Sequence, residues 1–175
     1  MSQKLDFKSG DRVVYPAHGV GQVSGIETQT IGGFDITVYV VAFEKDKMIL
    51  RIPVNRATQS GLRRISSVVD IQKVRETLEA RAKISRGMWS RRAKEYESKI
   101  NSGNIVLVAE VVRDLHKNVD DPDRSYSERV IYESALNRLS SEYAAIQNVE
   151  QTKASDDLMK ILSIRAANRN KKEAA

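Results

Sequence analysis

The 175-residue chain carries 29 Lys and Arg against 23 Asp and Glu, a net charge of +6, and is 41% hydrophobic and 30% charged. That balance describes one or two globular domains rather than a disordered chain, and no apolar run nears the ~20 residues of a membrane span. With no cysteine there is no disulfide, thiol nucleophile or cysteine-ligated zinc site, and the polar start lacks a signal-peptide core, so the expected compartment is the cytoplasm.

The first sixty residues alternate with the period of strands. Arg12–Pro16 is a short strand whose proline marks an edge or end. Gly19 and Gly21 bracket a turn into a second strand, Gln22–Ile31, in which Gly25 breaks the alternation and predicts a bulge. Ile31-Gly32-Gly33-Phe34 has the two-glycine form of a tight hairpin. The following strand, Asp35–Phe43, sets Ile36, Val38, Val40 and Ala42 on one face and Thr37, Tyr39, Val41 and Phe43 on the other. Glu44–Lys47 turns into Met48–Pro53, where Met48, Leu50 and Ile52 point one way and Ile49 and Arg51 the other. Four or five short antiparallel strands in this length predict a small SH3-like or Tudor-like barrel.

Near residue 67 the period becomes helical. Ser67 is placed to cap a helix bearing Val68, Ile71, Val74 and Leu78. A second helix starts near Ser90, presents Trp89, Ala93, Tyr96 and Ile100, and ends at Ser102-Gly103. Asn104 caps a third with Ile105, Val108, Val112 and Leu115 on one stripe, and Asp120–Asp123 is a loop. Ser125 and Glu128 have capping-box spacing for a long fourth helix with Ile131, Ala135, Leu139, Tyr143 and Ile146. Ser155 begins a short fifth with Leu158, Ile161 and Leu162. The expected class is α+β: a small barrel over 1–62, a helical bundle of about five helices over 63–168, and a disordered tail over 169–175.

No catalytic constellation stands out. His18 and His116 fall in different modules and have no partners at ligand spacing. Asp120–Asp123 lacks the glycine and terminal glutamate of a calcium loop, and Gly19-Val20-Gly21 lacks the spacing and helix of a dinucleotide site. The chain is therefore expected not to be an enzyme, and to need no cofactor, metal or small-molecule substrate.

Charge, by contrast, is unevenly distributed. Residues 61–100 hold eleven basic side chains against five acidic, whereas residues 101–150 hold five against nine. From Arg81 to Lys94 the cations Arg81, Lys83, Arg86, Arg91, Arg92 and Lys94 meet no acid and surround Trp89, the sole tryptophan. Such a band suits a phosphate backbone with an aromatic pressed against bases; a core tryptophan ringed by solvated charges is the competing account.

Two stretches carry a family resemblance. Residues 7–21, Phe7-Lys8-Ser9-Gly10-Asp11-Arg12-Val13-Val14-Tyr15-Pro16-Ala17-His18-Gly19-Val20-Gly21, resemble the start of the CarD family of bacterial transcription regulators, and this module is similar to the polymerase-interacting domain of the transcription-repair coupling factor. Trp89-Ser90-Arg91-Arg92, Ser102-Gly103 and Val108–Leu115 resemble the family's C-terminal domain, so the likeness spans about 7–165. The resemblance implies a Tudor-like domain docking on the β subunit of RNA polymerase. It also implies a helical domain that touches promoter DNA at the upstream edge of the bubble and favours the open complex. Trp89 matches the family's minor-groove wedge; Arg86 lies in the same basic run, Arg91, Arg92 and Lys94 match basic positions around the wedge, and Arg129 matches a further basic contact. These contacts run through minor groove and phosphates with little sequence specificity. Arg51 and Ile31 match the polymerase interface, and Gln29 departs from an arginine found in some relatives. The implied location is the nucleoid, reached through polymerase, with no membrane partner. A polymerase-independent architectural DNA binder and a protein-interaction adaptor remain the alternatives.

Overall fold

The computed structural model describes residues 5–116 and 122–173. It falls into two compact units, Met1–Ile65 and Ser66–Ala175. Asp120 and Asp121 of the expected acidic loop, and the last two residues of the expected tail, lie outside the described residues.

The first unit is a five-stranded antiparallel sheet. Its strands are β1 (Arg12–Tyr15), β2 (Gly19–Ile31), β3 (Phe34–Phe43), β4 (Met48–Pro53) and β5 (Arg63–Arg64), in the order β4-β3-β2-β1-β5. Gly32 and Gly33, at φ +59° and +83°, make the tight β2–β3 turn that places Ile31 opposite Phe34. The bulge falls where the alternation breaks: Val23 pairs with Val41 and Gly25 with Val40, so Ser24 is the extra residue. Its hydroxyl donates to the Val40 carbonyl at 3.1 Å. Phe7, Val13, Val23, Tyr39, Val41, Phe43, Ile52, Ala57 and Leu62 form the core. Tyr39 is buried there edge-on to Phe7, and its hydroxyl accepts the Asp6 and Phe7 amides at 3.0 and 3.4 Å. A buried phenol is tolerated because its polar end is satisfied.

The second unit contains α1 (Val68–Glu79), α2 (Trp89–Asn101), α3 (Ile105–Leu115), α4 (Tyr126–Gln147) and α5 (Gln151–Glu173). The expected caps form. Ser67 and Asp70 close a reciprocal capping box on α1, Asn104 accepts the Val106 and Leu107 amides, and Ser125 accepts the Glu128 amide. Asp70's carboxyl is held below its ordinary value by these Ser67 hydrogen bonds, with Lys73 adding to the effect. Helix α3 packs against α1, α2 and α4, and its Ile105, Val108, Ala109, Val111, Val112 and Leu115 are all buried.

Three expectations need correction. β5 belongs to the sheet, pairing Arg63 and Arg64 with Val14 and Val13, so the first unit extends past residue 62; backbone hydrogen bonds, which carry no hydropathy signal, build this strand. Helix α5 starts at Gln151 and runs to Glu173, longer at both ends than expected and through most of the residues assigned to a tail. It contains no glycine or proline and is rich in strong helix formers. Its buried stripe is Ala154, Leu158 and Leu162 at four-residue spacing, with Ile161 half-buried. Val68 is 71% exposed, because the first turn of α1 precedes the part that meets the core. Helix α2, expected to start near Ser90, begins at Trp89.

Gly21 has the tightest packing requirement in the sheet. A Cβ there would lie 2.8 Å from Phe43 Cε1 and 2.9 Å from Val41 Cγ1. Gly21→Ala is therefore expected to destabilise the protein by about 1–3 kcal/mol through overpacking, read as a lower urea midpoint; an unchanged midpoint would contradict this packing.

Candidate functional site

Alternation in the sheet decides what faces solvent. Tyr39, Val41 and Phe43 enter the core, so Phe34, Ile36, Val38 and Val40 lie on the opposite face of β3, where Phe34 is exposed, Ile36 half-buried, and Val38 and Val40 are covered. Register brings Glu27, Gln29 and Ile31 of β2 to that face, together with Ile49 and Arg51 of β4. The three residues expected at a protein interface, Gln29, Ile31 and Arg51, thus share one surface. Ile31 (57% exposed), Phe34 (76%) and Ile49 (58%) spread exposed apolar area along it. Because β4 pairs only with Val38–Phe43, β2 and β3 run on past it as a two-stranded ribbon ending at Ile31 and Phe34. Arg51 is outside, as its strand position requires, but it is not alone. Its Nε donates to Glu27 Oε2 at 3.3 Å across β3, and both side chains stay about half exposed.

In the helical unit the basic residues approach α2 along residues 81–88, where Arg81, Lys83, Arg86 and Met88 are exposed. The Lys83 amide donates to Asp114 Oδ1 at 2.9 Å, so this segment is pinned to the end of α3. Asp114 also accepts from Arg113 Nε at 2.7 Å, and both side chains of that ion pair are almost wholly buried. Helix α2 then starts at Trp89 with Met88 as N-cap, a residue that supplies no side-chain acceptor to the first-turn amides. An uncapped N-terminus flanked by cations favours an anion.

Trp89 is half-buried, packed on the helical core with its ring 6.3 Å from that of Tyr96. It is therefore part anchor and part surface. The expected cations do not all gather round it. Arg92 lies beside the indole, its guanidinium 5.5 Å from the Trp89 ring centroid and 5.9 Å from that of Tyr96. Arg91 and Lys94 are exposed elsewhere on the helix, Arg91 paired with Glu95 one turn on at 3.4 Å. Arg86 is exposed in the segment before α2. Arg129 is exposed on α4, within a turn of the exposed Tyr126 and Val130.

Several residues of these surfaces escape sequence reasoning. Phe34 is hidden in the hairpin signature and Glu27 in an unremarkable polar stretch, although the same alternation that exposes Arg51 exposes both. Nothing in the sequence signals that Arg92 turns inward. His116 is half-buried with Nδ1 2.8 Å from the Tyr132 hydroxyl, whereas His18 is exposed and stacks on Tyr15. Burial, with Arg165 and Arg124 adding to it, pushes the His116 pKa down. Among the described residues no helix is long and apolar enough to cross a membrane.

Known proteins resemble both units. A family model described as the CarD-like/TRCF RID domain matches residues 7–66, and one described as the CarD C-terminal domain matches residues 73–159. The "Putative transcription factor YdeB" of Bacillus subtilis (strain 168) is 27% identical over 145 residues, covering 83% of this chain and 95% of that protein. The solution structure of the 72-residue N-terminal domain of Myxococcus xanthus CarD is 33% identical over 36% of this chain and 84% of its own, with a TM-score of 0.30. CdnLNt from the same organism is 39% identical over 38% of this chain and 94% of its own, with a TM-score of 0.31.

The two surfaces should differ sharply in what substitution does to folding. Trp89→Ala removes a packed aromatic and is expected to cost about 1–3 kcal/mol, below the range for a fully buried ring. Arg51→Ala or Glu27→Gln breaks only an exposed ion pair and should change stability by less than about 1 kcal/mol. Urea unfolding of the three variants checks both, and a large loss for Arg51→Ala would show that this pair holds the sheet together.

Proposed function

Because this chain belongs to the CarD family of transcription regulators, we propose that it docks on the β subunit of RNA polymerase through the outer face of its sheet unit. From there its helical unit stabilises the promoter open complex by setting Trp89 against DNA at the upstream edge of the bubble. The observation that carries this is the half-buried Trp89 at an uncapped, cation-flanked helix start. One side of the indole is anchored by packing, and the other remains free to press on a base step. A wedge needs both, since a wholly mobile ring would lose entropy on insertion and a wholly buried one could not insert.

Arg86, Arg91 and Lys94 are exposed cations suited to phosphates, and Arg129 is a further candidate on α4. Such contacts position the module without reading sequence. Arg91 must leave Glu95 and Arg51 must leave Glu27 to take new partners; both pairs are exposed, so either exchange costs little. The helical unit's own affinity for DNA is then weak. Docking of the sheet unit raises its local concentration at the bubble. Any preference for open over closed DNA becomes a shift in that equilibrium equal to the difference in affinity.

Open-complex lifetime with purified cognate polymerase tests this. The protein should lengthen the lifetime, by about tenfold for each ~1.4 kcal/mol of preference for the open state. Trp89→Ala should return it towards the value without the protein while leaving polymerase binding intact, and Arg51→Glu should abolish the effect by preventing docking. Tight binding to bare duplex with no polymerase dependence would point instead to an architectural DNA binder. Polymerase binding with no effect on lifetime at several promoters would point to an adaptor.

A further inference from the structure

We propose that Arg92 is a positioning residue, holding the Trp89 indole in place rather than binding phosphate; the functional part of this assignment rests on the reading that Trp89 meets DNA. Trp89, Arg92 and Tyr96 stand at positions i, i+3 and i+7 of α2, on one side of the helix. The Arg92 guanidinium is within cation–π range of both rings, at 5.5 and 5.9 Å from their centroids. Its Nη2 donates to the Tyr96 hydroxyl at 3.3 Å. Its Nε is buried and has no hydrogen-bond partner among the described residues.

That arrangement is the reverse of a phosphate ligand's. A cation awaiting DNA keeps its side chain open to solvent, as Arg91 does at 83% exposure even while paired with Glu95. Arg92 instead directs its planar head at two aromatic faces and leaves a donor unmade to stay there. Tyr96 is 5% exposed and built into the core, so it is a fixed wall; Trp89, half-buried at the first turn of the helix, is the group left to be steadied. A guanidinium spans the two rings as a flat plate, which a lysine ammonium, a compact and strongly hydrated charge, does not reproduce.

As Trp89 is the sole tryptophan, fluorescence of the full chain under tryptophan-selective excitation reports on it alone. Arg92→Met keeps an apolar stem without charge, Arg92→Lys keeps the charge without the plane, and Arg91→Ala is the phosphate-contact comparison. In the free protein, acrylamide quenching of Trp89 should rise about twofold in both Arg92 variants as the guanidinium cover is lost, and stay unchanged in Arg91→Ala. In DNA binding, Arg91→Ala should reduce the log–log salt slope by ~0.9, whereas Arg92→Met should leave it unchanged. With polymerase, both Arg92 variants should lose most of the open-complex lifetime that wild type adds. Should Arg92→Met unfold, Arg92→Lys carries the quenching and lifetime comparison. Wild-type quenching in the Arg92 variants, a slope reduced by Arg92→Met as much as by Arg91→Ala, or increased quenching with an undiminished lifetime would each overturn the assignment. Failure of Trp89→Ala to shorten the lifetime would instead remove the DNA role of Trp89 while leaving the quenching result to judge the brace itself.

Discussion

A buried carboxylate controls how the chain arrives at its only tryptophan. Asp114, near the C-terminal end of α3, accepts the backbone amide of Lys83 and the guanidinium of its neighbour Arg113. Arg113 in turn offers its carbonyl to Arg165 of α5, at 3.1 Å. Three pieces of chain far apart in sequence therefore meet at one turn of α3. Burying an ion pair costs desolvation, and it is sustained only where the remaining lone pairs and protons find partners. Here Asp114 Oδ1 takes the Lys83 amide as well as the guanidinium, which ties the start of the basic segment leading into α2 to the end of α3. The direction in which Trp89 leaves the core, and the exposure of Arg86 just before it, follow from that anchorage and from the packing of Ile100 and Tyr96 behind it.

Burial separates ion pairs that look alike in sequence. Arg113–Asp114 is nearly inaccessible, and removing either partner would strand a charge. Arg51–Glu27 and Arg91–Glu95 are open to water and salt, and are nearly free to exchange. The first kind shapes the molecule; the second is available to partners. The same distinction divides the cations around Trp89, with Arg91 and Lys94 turned to solvent and Arg92 folded inward.

Much of this is legible in the sequence, for reasons that can be named. Strand alternation puts Arg51 opposite Met48, Leu50 and Ile52, and the structure has it so. Ser67, Asn104 and Ser125 each precede an apolar run with helical spacing, and each caps a helix. The failures occur where side-chain pattern is not what builds the element. β5 is two arginines held by backbone pairing, α5 extends through polar residues by propensity, and Val68 lies on the apolar stripe yet ahead of the core. At the candidate site, the density of cations around Trp89 is plain from the sequence. Which of them face water is not, because that depends on rotamers and on the position of Tyr96 one helical turn beyond Arg92.

The central claim is that Trp89 reaches DNA at the bubble edge because the sheet unit has docked on polymerase. Replacing Trp89 with a photoreactive aromatic residue and irradiating assembled open complexes tests it most directly. The account predicts cross-links to DNA at the upstream edge of the bubble that require polymerase and disappear when Arg51→Glu is added. Cross-links confined to protein, or DNA cross-links of equal yield with and without Arg51→Glu, would contradict it.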